Sequence, residues 1–187
     1  VTGGTFNGAT SGIYTVTFDS GVPSQIRANA PAEVPAAPTK KGYTFKCWLK
    51  GGAPYDFTQN VTENTALTAD WTAKNYTVKF DANGGAAIAD KSLTWNDRVL
   101  DGVSTPAKTG YDFKGWTFGG KTVSENTVYA DIAADDAVTS ITLTAQWAIH
   151  LYTVTFDYND ADRTKTTTTI AYGEEFGQMP VPVQETY

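Results

Sequence analysis

A β-rich fold assembled from tandem repeats is what this sequence predicts, and three observations predict it. A short phrase recurs: Tyr14 to Asp19 reads YTVTFD, Tyr76 to Asp81 reads YTVKFD, and Tyr152 to Asp157 reads YTVTFD again. Two further phrases follow in fixed order, KGYTFKCW and TGYDFKGW at Lys41–Trp48 and Thr109–Trp116, then LTADW and LTAQW at Leu67–Trp71 and Leu143–Trp147. Within the phrases apolar and polar residues alternate with a period of two, the mark of a half-buried strand. A fixed order of motifs that returns along the chain is an internal repeat. The expected division is a linker at 1–13, repeats at 14–73 and 74–149, and a truncated repeat at 150–187.

Val1 to Ile13 is rich in Gly, Thr, Ser and Asn and matches none of the phrases, as a linker would. The first strand of each repeat places Tyr14, Val16 and Phe18, then Tyr76, Val78 and Phe80, then Tyr152, Val154 and Phe156 on one face. In the second repeat Asp81 to Gly85 reads DANGG, which supplies the positive φ of a hairpin turn, and a returning strand is expected at about Ile88 to Trp95. The first repeat has DSGVPSQIRA there, broken by Pro23, so its hairpin is expected to be shorter or irregular. In the third, the threonines of Thr164 to Tyr172 read as a strand.

A polar stretch then ends in Pro38, Pro106 or Pro182, five residues before Tyr43, Tyr111 or Tyr187. One or two helical turns fit at Asn96–Asp101 and Glu174–Gln178. The aromatic strands follow, with Tyr43, Phe45 and Cys47 expected on one face, and after them the matching TEN and SEN at Thr62–Asn64 and Ser124–Asn126. The stretch from Trp116 to Trp147 is longer than that from Trp48 to Trp71, and the extra residues lie near DIAADDAVTS. The joints TAKN and AIHL are short, which favours a stiff array over loosely strung beads.

Each repeat is near the lower size limit for a core of its own. With Cys47 as the only cysteine, disulfides do not compensate, whereas 13% Phe, Trp and Tyr can. Each buried aromatic contributes at most about 4–6 kcal/mol, from roughly 150–250 Å² at ~25 cal/mol per Å². The expected core is Tyr14, Phe18, Tyr43, Phe45, Trp48 and Trp71 in the first repeat. Tyr76, Phe80, Tyr111, Phe113, Trp116 and Trp147 form it in the second, and Tyr152 and Phe156 in the third. A formal charge of −6 without a basic cluster argues against nucleic acid as a partner. No run of roughly 18 apolar residues argues for membrane insertion. The chain begins at Val1 and stops inside a repeat, so it is expected to be a fragment, in which missing targeting signals carry no information.

These phrases in this order resemble the Listeria–Bacteroides repeat, also called the internalin B repeat, found in tandem in bacterial cell-surface proteins. The resemblance implies an α+β, β-rich fold of small tandem β-grasp-like units, each of about four strands with one short helix or helical loop. It also implies an extracellular location at the bacterial surface, a stalk, spacer or adhesive role without catalytic residues or cofactors, and contacts with a host or cell-surface protein or glycan. The chain departs from the pattern at the missing NGG after Asp19, at Cys47 opposite Gly115, and at Thr186 opposite Gly42 and Gly110.

Sites of other kinds weigh little. His150, the only histidine, falls in a joint between repeats and reads as a solvent-exposed linker residue. Cys47 reads as a small buried residue, and a Cys47–His150 dyad would need two repeats folded onto each other. Asp81 and Asn83 alternate as in a calcium loop, but Ser92 stands where the bidentate acid belongs. Asp157, Asn159, Asp160 and Asp162 offer more oxygens, while Asp131, Asp135 and Asp136 read as a solvated loop. No cleft suggests a glycosidase carboxylate pair, and a Lys–Asn crosslink would need a buried acid that sequence does not reveal. Exposed aromatics remain as a candidate ligand platform, with Trp48, Trp95 and Tyr158 as its members and core packing as the plainer reading. A dedicated binding face is placed on Lys121 to Ser140. The truncated third repeat leaves a strand edge and an apolar face for self-association.

Overall fold

The computed structural model describes residues 12–158 and 165–179. The described residues form two five-stranded sheets and one two-stranded sheet, joined by turns and irregular chain with almost no helix. Two compact units emerge. Unit 1 is the chain up to Asn75 together with Thr94–Asn96; unit 2 holds Tyr76–Leu93 and the chain from Asp97 onward.

In unit 1, β1 (Ile13–Phe18) and β2 (Gln25–Ala28) form an antiparallel hairpin, and β3 (Tyr43–Lys50) forms another with the two-residue β4 (Ala53–Pro54). The long β5 (Thr65–Ala73) runs between them, parallel to β1 and antiparallel to β3, giving the order β2-β1-β5-β3-β4. Unit 2 repeats this plan with β6 (Tyr76–Asp81), β7 (Lys91–Leu93), β8 (Tyr111–Phe118), β9 (Lys121–Val123) and β10 (Ser140–Ile149), in the order β7-β6-β10-β8-β9. The third repeat contributes β11 (Leu151–Asp157) and β12 (Lys165–Ala171), an antiparallel pair.

Several expectations are corrected. The first hairpin is not among them: it is irregular as expected, its ladder ending at Val16 opposite Gln25. The chain from Thr17 to Ser24 turns at Ser20 and Gly21, whose φ values of 60° and 75° match the left-handed pair Asn83 and Gly84 after β6. One added strand arises in each unit, β4 and β9, where a polar connection was expected, since Gly51–Gly52 and Gly119–Gly120 turn the chain back after β3 and β8. No helix forms at Asn96–Asp101 or Glu174–Gln178, which are turns and irregular chain. The one α-helix among the described residues is the four-residue α1 (Tyr129–Ile132), inside the longer stretch of unit 2.

The aromatic strands hold a second correction. Alternation alone puts Trp48 opposite to Phe45. A β-bulge between Phe45 and Cys47 shifts the register, so that Trp48 turns inward beside Phe45, with ring centroids 5.4 Å apart. The bulge recurs between Gln146 and Trp147 of β10 opposite Phe113 and Gly115, and there Phe113 and Trp116 lie 5.5 Å apart.

In unit 1 Val16, Ala32, Trp48, Val61 and Leu67 are buried, with Tyr14, Phe18, Phe45 and Phe57 packed against them. In unit 2 Tyr76, Val78, Val99, Trp116, Tyr129 and Leu143 are buried. Tyr43, Trp71, Phe80, Tyr111, Phe113 and Trp147 are half-buried. Tyr152, expected in a core, is 48% exposed, because β11 is paired with β12 alone among the described residues; Phe156 is half-buried.

Candidate functional site

The repeated motif residues converge on one arrangement in each unit. Phe18 meets Trp48 edge to face at 4.9 Å, and Phe45 lies between Trp48 and Trp71. Phe80, Trp116, Phe113 and Trp147 repeat the series at 5.0, 5.5 and 5.4 Å. Such tilted and T-shaped pairs place positive ring edges over negative faces. A lysine from the loop before the aromatic strand caps each series: Lys40 Nζ lies 4.1 Å from the Tyr43 centroid and Lys108 Nζ 4.5 Å from that of Tyr111. Trp147 Nε1 donates to the carbonyl of Ala82 at 2.9 Å.

The glycine of the GY phrase has a packing role that the sequence did not disclose. Gly42 has φ +78°, and a Cβ there would stand 2.3 Å from Cβ of Trp95. Gly110 has the same φ and meets Tyr172 in the same way. Thus the aromatic residue that follows a β-hairpin seats on a glycine, and Trp95, expected as part of an exposed platform, is only 8% exposed. Trp48 is buried as well and Tyr158 is half-buried, so the platform reading fails for both tryptophans.

His150 is tied down more firmly than a linker residue was expected to be. Its backbone N–H donates to the carbonyl of Gly110 at 2.8 Å, and its carbonyl accepts from Tyr172 at 2.9 Å. Its Nε2 lies 2.7 Å from Oδ1 of Asp112. That hydrogen bond, foremost, holds the Asp112 carboxyl below the usual carboxylate range. Cys47 belongs to unit 1 and His150 to unit 2. Among the described residues no three His, Cys, Asp or Glu side chains gather as metal ligands. Asp81 Oδ1 accepts from the N–H of Asn83, whose amide donates to Ala145, so the calcium-like pair serves the turn. Asp157 is paired with Lys165 at 3.1 Å; Asn159, Asp160 and Asp162 lie outside the described residues.

The longer stretch of unit 2, read as a solvated binding loop, is in part core. Tyr129 of α1 is fully buried, stacks on Tyr76 at 4.7 Å and donates its hydroxyl to Val138 at 2.9 Å. Burial, and then the neighbouring Tyr76, push its phenol above the ordinary tyrosine pKa. Asp131 accepts from the N–H of Val128 and Asp135 from that of Ala137. Exposed large apolar side chains lie elsewhere, Leu151, Tyr152, Tyr172, Phe176 and Met179 in the third repeat and Ile13, Ile26 and Val34 in unit 1.

Unit 2 also carries an open pocket of about 280 Å³ that no motif foretold, lined by the loop 98–105 with Phe113, Trp116 and Glu125.

The Listeria-Bacteroides repeat domain family matches this sequence at residues 14–70, 76–146 and 152–187. The chain belongs to this family. It is 32% identical over 157 residues, 79% of this chain and 18% of the relative, to a protein named as a Gly-rich membrane protein of Evansella cellulosilytica. To Internalin H of Listeria monocytogenes it is 35% identical over 111 residues, 55% of this chain and 20% of that protein. The chain therefore spans about a fifth of the length of these relatives. Tandem repeats of bacterial, cell-surface type are what the matches share.

Proposed function

We propose that this chain is a non-catalytic, tension-bearing spacer of an extracellular bacterial surface protein, built from β-grasp-like units. One observation carries the reading. In each unit the first and last strands of the sheet lie side by side and parallel, β1 with β5 and β6 with β10. Tension entering at the start of the first strand and leaving at the end of the last slides the two strands past each other. All hydrogen bonds of the ladder then carry the load together, instead of opening one by one. The motif aromatics support the same reading, since they pack the faces of this ladder instead of presenting a reactive group.

Pulling the chain by its ends in a force spectrometer tests this. Two separate high-force events are expected, each followed by a release of about 3.3–3.6 Å per residue of the unit. Unit 2, with five paired positions between β6 and β10 against three between β1 and β5, should yield at the higher force. Events no stronger than those of unit 2 pulled from Gly119 and Ser140, which opens the sheet strand by strand, would overturn the reading.

A second reading concerns partners. β11 has a parallel edge without a strand on it among the described residues, and Leu151 is 65% exposed. We infer that self-association at this edge covers it, because an uncovered strand edge and apolar face are a template for pairing.

A further inference from the structure

The two units share a plan, and their differences mark where unit 2 has gained something. Backbone hydrogen bonds fix the correspondence. Val61 donates to Ala30 as Tyr129 does to Asp97, and Gln59 donates to Asp56 as Thr127 does to Ser124. The antiparallel bridge Pro31–Asn60 answers to Arg98–Val128. By this alignment Pro31 and Phe57 of unit 1 stand where unit 2 has Arg98 and Glu125, and the look-alike TEN and SEN are not equivalent. Phe57 packs against the core of unit 1 and meets Tyr55 edge to face at 4.8 Å. Replacing that ring by a carboxylate leaves the space open, and the pocket of unit 2 lies there.

We propose that this pocket binds a neutral saccharide, at the scale of one or two sugar rings. The half-buried Phe113, packed against the buried Trp116, gives the pocket an apolar surface on which the C–H face of a pyranose can lie. Arg98, Asp101, Ser104, Thr105 and Glu125 also line it and supply the donors and acceptors that vicinal hydroxyls require. The side chains of Arg98, Asp101 and Glu125 have no hydrogen bond or ion pair among the described residues, so ligand contact displaces no internal partner. The volume of about 280 Å³ lies just below the roughly 300 Å³ at which ligand pockets begin.

The loop is also set in advance. Lys91 Nζ donates to the carbonyls of both Arg98 and Asp101, Val99 donates to Thr127 at 3.0 Å, and Val103 closes a turn on Leu100 at 3.1 Å. A wall held in this way loses little freedom on binding. Two carboxylates line the pocket against one guanidinium, and they repel acidic sugars.

The test is a two-dimensional amide NMR titration of the whole chain with glucose, galactose, mannose and N-acetylglucosamine, each at high millimolar concentration, and with sialic acid as the anionic control. The expected result is a set of saturable shifts at 98–105, Phe113, Trp116 and Glu125 for at least one neutral sugar and none for sialic acid. Glu125→Phe, which restores the plug of unit 1, and Arg98→Ala should each weaken that binding at least tenfold at unchanged melting temperature. Silence from every neutral sugar overturns the proposal, as do shifts elsewhere or shifts that survive Glu125→Phe. If only a lysine-rich peptide perturbs these amides, the pocket takes a cationic side chain and the saccharide assignment falls.

Discussion

A single missing Cβ sets the seat at Gly42. Its φ of +78° costs an L-residue about 1–2 kcal/mol, and the approach of Trp95 adds a clash that Trp95 cannot relieve by a rotamer change, since Cβ itself is in the way. Gly52, at φ +86° with nothing within 4 Å, pays only the first cost. Gly42→Ala should therefore destabilise unit 1 by more than Gly52→Ala does, and equal losses in denaturant unfolding would show that Trp95 yields freely. At Asp112 the expectation concerns pH. His150 holds the carboxyl below its ordinary value, so the stabilisation is present above the ordinary carboxylate pKa and is lost as pH falls through the lowered one. A carboxyl NMR titration should place the Asp112 midpoint low and return it to the ordinary range in His150→Ala. Neither role was legible in the sequence. Gly42 reads as a turn residue and His150 as a joint, because the partners Trp95 and Asp112 come from other segments of the chain.

At the scale of elements, strands with strong alternation were legible and their irregularities were not. YTVTFD and LTADW declare themselves by period, and β1, β5, β6 and β10 lie where the period puts them. The bulge of each aromatic strand is set by pairing with β5 or β10 and leaves no local mark, so alternation misassigned Trp48. Gly51–Gly52 and Gly119–Gly120 were a readable signal for two hairpins, since paired positive φ is what a two-residue turn demands. The helix at Asn96–Asp101 lost to the bridge of Arg98 with Val128. α1 owes its place to Tyr129, whose ring replaces Val61 over the unit-2 core. Tyr129→Ala should cost about 3–5 kcal/mol, as truncation of a buried aromatic does, and a thermal melt of unit 2 unchanged by it would refute that role. With its phenol pKa raised, the contribution of Tyr129 is full below the ordinary tyrosine pKa and fades as pH climbs through the raised one.

Across the whole molecule, stability follows how completely each sheet is built. Two five-stranded sheets bury Val16 and Val78 fully, whereas Val154 at the matching place on β11 is half-buried, because no strand lies parallel to β11 among the described residues. A two-stranded hairpin is marginal in water, so amide hydrogen exchange at low protein concentration should be fastest in β11 and β12 and slowest in β5 and β10. The proposed self-association would add a second requirement. In the complete units Val16 and Phe18 face Thr65 and Leu67, and Val78 and Phe80 face Ile141 and Leu143. A second molecule that covers β11 must hydrogen-bond to its outer edge while burying Val154 and Phe156, so protection of the β11 amides should grow with concentration while that of β1 and β6 stays fixed. Exchange in β11 that does not change with concentration would mean that this edge meets water alone, and that its apolar side chains are held by β12 without a second copy.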